Sequence, residues 1–408
     1  MEVVHECCAG LDVHKKTVVA AVKTSEGTEV RTFGTVTREL LDLADWLEQQ
    51  RVSAVAMEST GVYWMPVFNL LEDRDFELLV VNARHVKAVP GRKTDVKDAE
   101  WLAELLRHGL LRPSFVPDRA QRELRELVRY RRTLIQEKAR LVTRVQKVLE
   151  SSNIKLGSVA SDVMGKSSRA MLRELVAGNT DTAAMAELAE SNLRFKKGQL
   201  EQALVGSIGP HQRFLLRQLI DLIEVHETQI EELNQEVEQR MRPFEQALAL
   251  VDQIPGIGRR SAEQILAETG VDMSRFPTSD HFTSWARVCP GTKESAGVRR
   301  PTGTGQGNPW LRSALVEAAV SAARTGSRHP NFFAARYARI ASRRGAKKAQ
   351  MAIAHSMLTA IYHMLRDGAH FEDLGPKHWD TRHRQQVATR TVRRLEELGY
   401  KVTIEEVA

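Results

Sequence analysis

Cysteine is almost missing from this chain. The three thiols, Cys7, Cys8 and Cys289, make no disulfide framework, and no C-x-x-C pair proposes a zinc site. A reducing compartment is expected. Long apolar runs are missing too. No stretch approaches 18 consecutive apolar residues, so no transmembrane helix and no membrane partner are expected. The opening MEVVHECCAG lacks a basic region followed by a long apolar segment. No secretory leader is expected, and the cytoplasm is the expected location.

What is present is a chain of 408 residues, 42% hydrophobic and 27% charged. That is enough apolar material for real cores and enough length for two or three domains. The net charge is +7 and the isoelectric point about 9.3. A basic balance favours a polyanionic partner, most often nucleic acid.

The N-terminal third reads as alternating strands and helices. Residues 5–23 predict two strands around a short turn, and 28–36 a third with apolar alternation. Leu40, Leu41, Leu43, Ala44, Trp46 and Leu47 recur at helical spacing within 38–50. Residues 52–57 (VSAVAM) and 78–82 (LLVVN) suit buried strands, with a helix between them. The order predicts an α/β sandwich with a mixed sheet.

Residues 91–106, GRKTDVKDAEWLAELL, then predict a helix with Trp101, Leu102, Leu105 and Leu106 on its apolar face. Asp95 and Asp98 stand three apart at its start and so share a side. Alone, they read as acidic first-turn residues that favour a helix N-terminus. Asp12 and Glu58 fall at strand ends, and ligands of open α/β sheets gather beyond the carboxyl ends of strands. Separately each is an ordinary surface acid. Together the four make a ligand set for a hard divalent cation such as Mg²⁺ in phosphoryl transfer. Their order resembles an RNase H-like nuclease fold.

Residues 118–150 predict a long helix with an apolar seam of Leu124, Leu127, Leu134, Leu141, Val145 and Val148, flanked by Arg and Lys. It reads as a coiled-coil arm with a partner helix, or as a helix packing on its own chain. Residues 151–168 predict a loop or short helices. Residues 198–241 predict a second arm, broken near Gly209 and Pro210, with antiparallel pairing the simplest topology. Residues 244–269 carry PGIG between two helices, a helix-hairpin-helix signature. Gly256 and Gly258 would let backbone N–H groups approach phosphate, beside Arg259 and Arg260; a plain helix connection is the other reading. Residues 290–308 predict a long Gly/Thr/Arg loop holding Ser295 among Lys293, Arg299 and Arg300. A serine among cations can attack a phosphate; a basic loop without structure fits the composition equally. Residues 328–366 predict two helices around a basic turn with Arg336, Arg339, Arg343, Arg344, Lys347 and Lys348, and Phe333 and Tyr337 interleaved. This suits a phosphate backbone or a solvated face. Residues 371–408 read as a charged tail, helical at 383–398.

Six segments carry a resemblance. GLDVHKKTVVAAV, AMESTGVYW and KTDVKDAEWLAELL resemble the N-terminal domain of the DEDD transposases of insertion-sequence family 110. PGIG, FPTSDHFTSWARVCPGTKESAGVRR and GNPWLRSALVEAA resemble that family's C-terminal transposase domain. The resemblance covers roughly residues 6–110 and 245–366, with the arm between them. It implies a RuvC-like DEDD domain at 1–112, a coiled-coil arm at 113–243, a mainly α transposase domain with helix-hairpin-helix and serine loop at 244–368, and a tail at 369–408. It implies Mg²⁺ held by Asp12, Glu58, Asp95 and Asp98, and Ser295 as nucleophile in DNA cleavage and rejoining. The family often has two adjacent serines where this chain has Ser295 alone. Implied partners are target and element-end DNA, a guide (bridge) RNA, and copies of the chain in a dimer or tetramer, with acids and serine meeting across protomers. The alternative is a metal-dependent structure-selective endonuclease of the Holliday-junction type, using water as nucleophile.

Overall fold

A computed structural model describes residues 2–59, 61–82, 97–289, 291–295, 298–302, 305, 307–382 and 384–403. Its internal contacts divide it into two units, Met1–Arg119 and Ala120–Ala408.

The first unit contains β1 (Cys8–Val13), β2 (Thr17–Lys23), β3 (Thr28–Gly34), α1 (Thr37–Gln49), β4 (Ala54–Glu58), α2 (Trp64–Leu71), β5 (Glu77–Val81) and α3 (Lys97–Arg107). The sheet order is β3-β2-β1-β4-β5. The first three strands pair antiparallel, and β1, β4 and β5 pair parallel. This is the expected mixed sheet. Central β1 and β4 are apolar almost throughout because helices cover both their faces. One face carries Ala9, Leu11, Val13, Val55 and Met57 against Leu43 and Leu47 of α1 and Phe68 and Leu71 of α2. The other carries Cys8, Ala54 and Ala56 against Leu106 of α3.

Small residues on that second face set how near α3 comes. A Cβ built on Gly10 would lie 2.2 Å from the Ala99 carbonyl oxygen and 2.5 Å from the Ala103 nitrogen. Both obstacles are backbone, so no side-chain rotation relieves them. The Cys8 thiol donates to the Ala103 carbonyl at 3.4 Å, and Lys23 of β2 pairs with Glu104.

The second unit is mostly helical. Here α4 (Arg119–Ser151) and α9 (Pro210–Met241) run antiparallel. Polar rungs fix the direction: Arg240 to Glu123 at 2.8 Å, Arg131 to Asn234 at 3.3 Å, Lys138 to Glu227 at 3.5 Å. Leu124 and Val128 share a core with Val237 and Met241, and Leu141, Val145 and Leu149 share another with Leu216, Ile220 and Ile223. The partner of the first arm is therefore in its own chain. Four short helices, α5 (Leu156–Val159), α6 (Lys166–Ala177), α7 (Thr182–Glu187) and α8 (Lys197–Leu204), close over the far end of this pair. The expected second arm thus starts at Pro210, whose ring suits the first helical position.

Next come α10 (Glu245–Asp252), α11 (Arg259–Thr269), α12 (Ser279–Trp285), β6 (Gly291–Ser295), β7 (Val298–Thr302), α13 (Pro309–Thr325), α14 (Phe332–Arg344), α15 (Ala346–Asp367), α16 (His378–Arg382) and α17 (Arg384–Glu397). The loop expected at 290–308 is corrected here. Its first part forms an antiparallel two-stranded ladder with Lys293 opposite Arg300, Glu294 opposite Arg299, and Ser295 opposite Val298. β-Branched Thr292, Val298 and Thr302 favour extended backbone, and Pro301 is tolerated because a two-stranded ladder has only edges.

Glu268 ties this unit together. It is fully buried at the end of α11. Both its carboxylate oxygens accept from Arg129 of α4 at 2.7 Å. Arg125 reaches it at 3.3 Å and donates to its backbone carbonyl at 2.7 Å. Asn308 donates to it at 2.5 Å while accepting from the backbone nitrogens of Trp310 and Leu311, capping α13. Burial pushes the Arg125 guanidinium down to about 10, with Glu268 opposing the shift; it stays charged at neutral pH.

Two stability outcomes follow. Gly10→Ala is expected to destabilise the protein by roughly 1–3 kcal/mol, since α3 must move off the sheet. Glu268→Ala is expected to cost about 3–5 kcal/mol, because the largely buried Arg125 guanidinium and the half-buried Arg129 lose their anion. Urea unfolding followed by circular dichroism checks both. An unchanged midpoint for either variant contradicts its account.

Candidate functional site

The acids of the first unit come from distant segments. The parallel register of β1 and β4 pairs Leu11 with Met57; one step further along stand Asp12 and Glu58. Successive strand residues alternate faces. Asp12 therefore follows Cys8 and Gly10, and Glu58 follows Ala54 and Ala56, on the face that α3 covers. Glu58 is paired in register with Val81 of β5, which packs on Leu102 and Leu105 of α3.

The helix runs opposite to β1. Leu106 lies over Cys8 and Ala54, whereas Ala99 lies over Gly10. The N-terminal end of α3 therefore sits at the carboxyl end of β1 and β4. Asp98 is in its first turn, four residues before Leu102 and seven before Leu105, on their side of the helix. Its Oδ1 is shut off from solvent. Asp12 is mostly covered, and its Oδ2 lies 3.1 Å from the exposed His14 ring. Three carboxylates thus share one face and one end of the sheet. Hard oxygen donors suit a hard cation. Among the described residues, however, no three His, Cys, Asp or Glu side chains gather into a metal-binding cluster. The fourth expected ligand, Asp95, lies outside the described residues.

In the second unit, Ser295 ends β6, in the same ladder as Lys293, Arg299 and Arg300. The PGIG turn joins α10 to α11 as expected, but its glycines divide the work differently. Gly256, at φ 91°, faces α13: a Cβ there would lie 2.3 Å from the Ala318 carbonyl oxygen and 2.6 Å from the Ala322 nitrogen. Its task is close helix packing. Gly258 caps α11 with open space around it, the arrangement a phosphate would need. Arg259 is held bidentate by Glu245 at 2.7 and 2.9 Å, so its charge is largely answered. Arg260 is exposed and meets no carboxylate among the described residues. A cleft of about 220 Å³ beside it runs between α4 and α11.

The basic turn between α14 and α15 is as read from the sequence. Arg343, Arg344, Lys347 and Lys348 are all exposed, and among the described residues none pairs with a carboxylate. Phe333, expected as an interleaved surface aromatic, is instead in the core, and Tyr337 packs against it. Phe332 and Phe333 are adjacent on α14, and a helix cannot turn both to the same side.

Two groups of residues escaped the sequence reading. One is the set Arg125, Arg129, Arg131 and Arg132, read as flanking charge on the arm. Arg131 is buried with Glu263 at 2.8 Å, and Arg132 reaches Gln264 at 2.7 Å and Ser313 at 2.6 Å. The 4- and 3-residue spacing from 125 to 132 was the available signal for one engaged face. The other is the return of the tail. Phe371 stacks on Phe333, and Trp379 on Phe332.

Comparison with known proteins gives matches to one family. One family model, described as a transposase of the DEDD insertion-sequence 110 type, matches residues 9–154. A second, described as "Transposase IS116/IS110/IS902 family", matches residues 248–334. An "Insertion element IS110 uncharacterized 43.6 kDa protein" of Streptomyces coelicolor is 29% identical over 127 residues, spanning 30% of this chain and 30% of that protein. The two models describe one family and together span more than half of the sequence, from β1 to the start of α14; the chain belongs to the IS110 family of transposases.

Proposed function

We propose that the protein is a DNA recombinase that moves an insertion element by cutting and rejoining strands. The observation that carries this reading is the placement of Asp12, Glu58 and Asp98 on one face at the carboxyl end of one sheet, with family membership beside it. The acids, with Asp95, hold Mg²⁺ in a domain of RNase H-like (RuvC-like) type at 1–112. Bound there, the ion stabilises negative charge on phosphate oxygens. The helical pair is a coiled-coil arm, and residues 244–368 are the DNA-handling domain with its helix-hairpin-helix.

In the proposed reaction, the Ser295 hydroxyl attacks a DNA phosphorus. The new Ser–O–P bond replaces one P–O bond to deoxyribose, and the displaced sugar oxygen takes up a proton. A second strand's hydroxyl then attacks the phosphoserine, restoring the serine and closing a new phosphodiester. One ester bond replaces another at each stage, so no energy source is needed. Lys293, Arg299 and Arg300 offset charge at the phosphate. Gly258, Arg260, Arg343, Arg344, Lys347 and Lys348 bind the backbone, with lesser shares for Gly256 and Arg259, which packing and Glu245 occupy. A guide RNA, and a dimer or tetramer in which acids of one protomer meet the serine of another, belong to the same reading.

Three outcomes are expected. Isothermal titration should detect Mg²⁺ or Mn²⁺ binding that Asp12→Asn and Asp98→Asn each weaken at least tenfold; equal affinity in all three proteins contradicts the metal assignment. Incubation with element-end DNA should leave a covalent adduct on denaturing gels, absent in Ser295→Ala. Free ends without adduct would point to an endonuclease using water. Mixing Asp12→Ala with Ser295→Ala should restore part of the activity, and no recovery at any ratio counts against assembly in trans.

A further inference from the structure

A cavity of about 450 Å³ opens between α14, α15 and the segment 369–374. That size falls within the range of small-molecule sites, and so does its make-up: apolar walls with a few convergent polar groups. Phe332, Phe371 and Met364 supply apolar wall. Arg336, Ser356 and His355 supply the polar side.

Arg336 is the unusual member. Its guanidinium is half-buried, which lowers its pKa through desolvation alone. Among the described residues it meets no carboxylate. Its partners are the Ser356 hydroxyl, to which it donates, and the Phe332 and Trp379 rings, 6.0 and 5.3 Å away. A partly desolvated cation without an anion is costly unless something negative arrives. The pKa of His355, beside it, is lowered by its own burial and then by Arg336, with Asp280 opposing, which favours the neutral ring. A neutral imidazole can donate and accept. The one carboxylate among the described lining residues, Glu372, is exposed at the rim.

The surroundings say what kind of anion. Arg343 lies seven residues beyond Arg336, on the same side of α14 and roughly 10 Å along it. Lys348 stands in the same relation to His355 on α15. Two tracks therefore run from the exposed turn at 343–348 toward the cavity, one ending on the cation of Arg336 and the other, from Lys348, on the imidazole of His355. Phosphates spaced along a chain suit the tracks, and a flat aromatic group suits the wall.

We infer that this cavity takes one unstacked nucleotide of a nucleic-acid strand, its base against Phe332 and Phe371 and its phosphate at Arg336, with the flanking backbone running to the basic turn. The inference rests on the nucleic-acid reading above. Base edges would be met by His355, Ser356 and Thr359. Either DNA or RNA offers this chemistry.

Full-length protein is titrated by fluorescence anisotropy with a twelve-residue oligothymidylate, the matching oligouridylate, and an abasic twelve-residue phosphate backbone. The base-bearing strands should bind roughly tenfold or more tightly than the abasic one. Thr359→Trp, which fills the cavity without altering charge, should abolish that difference, so that all three strands bind alike. Lys347→Ala with Lys348→Ala should weaken all three equally. The better of the two base-bearing strands identifies the source. As a measurement that needs no variant, 5-iodouracil placed in the strand should cross-link to peptides covering 332–336 or 369–374. A base-dependent difference that survives intact in folded Thr359→Trp, or cross-links confined to 343–348, overturns the cavity and leaves the functional reading standing. No binding of any strand by the natural protein overturns both.

Discussion

The approach of α3 to β1 at Gly10 is the constraint on which the first unit's acid site depends. Hydrogen as a side chain lets helix backbone rest on strand backbone, so the helix's first turn reaches the sheet's carboxyl end. Asp98 can then share a face with Asp12 and Glu58. A helix held one methyl group further away would carry Asp98 away from both. Cys8, Ala54 and Ala56 extend the same clearance along the helix. The small residues are thus part of the site's geometry although none carries its chemistry.

In the second unit the comparable role falls to a charge. Glu268 would be unstable in an apolar interior on its own, and so would Arg125 and Arg129. Paired and hydrogen-bonded, they join the arm to α11. Through Asn308 they also fix the start of α13, which follows the ladder bearing Ser295. The arm and the start of α13 are therefore referenced to one buried carboxylate. Arg131 with Glu263, and Arg132 with Gln264, repeat the attachment further along the arm. Such pairs add geometric definition more than net stability, since each charge must first leave water.

Periodicity made the elements legible. Alternation marked β3, and apolar runs marked β4 and β5. The 3- and 4-residue recurrence marked α3 and both arms. Those patterns record one-sided burial, which is local in sequence. The ladder at 291–302 was missed because glycines, threonines and arginines there lack an apolar period, so composition suggested a loop. The acids Asp12, Glu58 and Asp98 could be singled out as strand-end and helix-start residues. Gly256 could not be read correctly, since phosphate approach and helix packing make the same demand for a missing Cβ.

Local pattern therefore marks most of the strands and helices, the acids and cations within them, and the family the chain resembles. Side-chain period and charge are properties of a segment and need no neighbour. Which neighbour each segment has emerged with the packed fold: α3 antiparallel to β1, α9 against α4, the tail folded back on α14. That fold also decided that Arg259 is answered by Glu245 while Arg336 meets no carboxylate among the described residues. Those outcomes depend on contacts between residues tens or hundreds of positions apart. Close packing and desolvation select among such contacts, and neither leaves a local pattern to read.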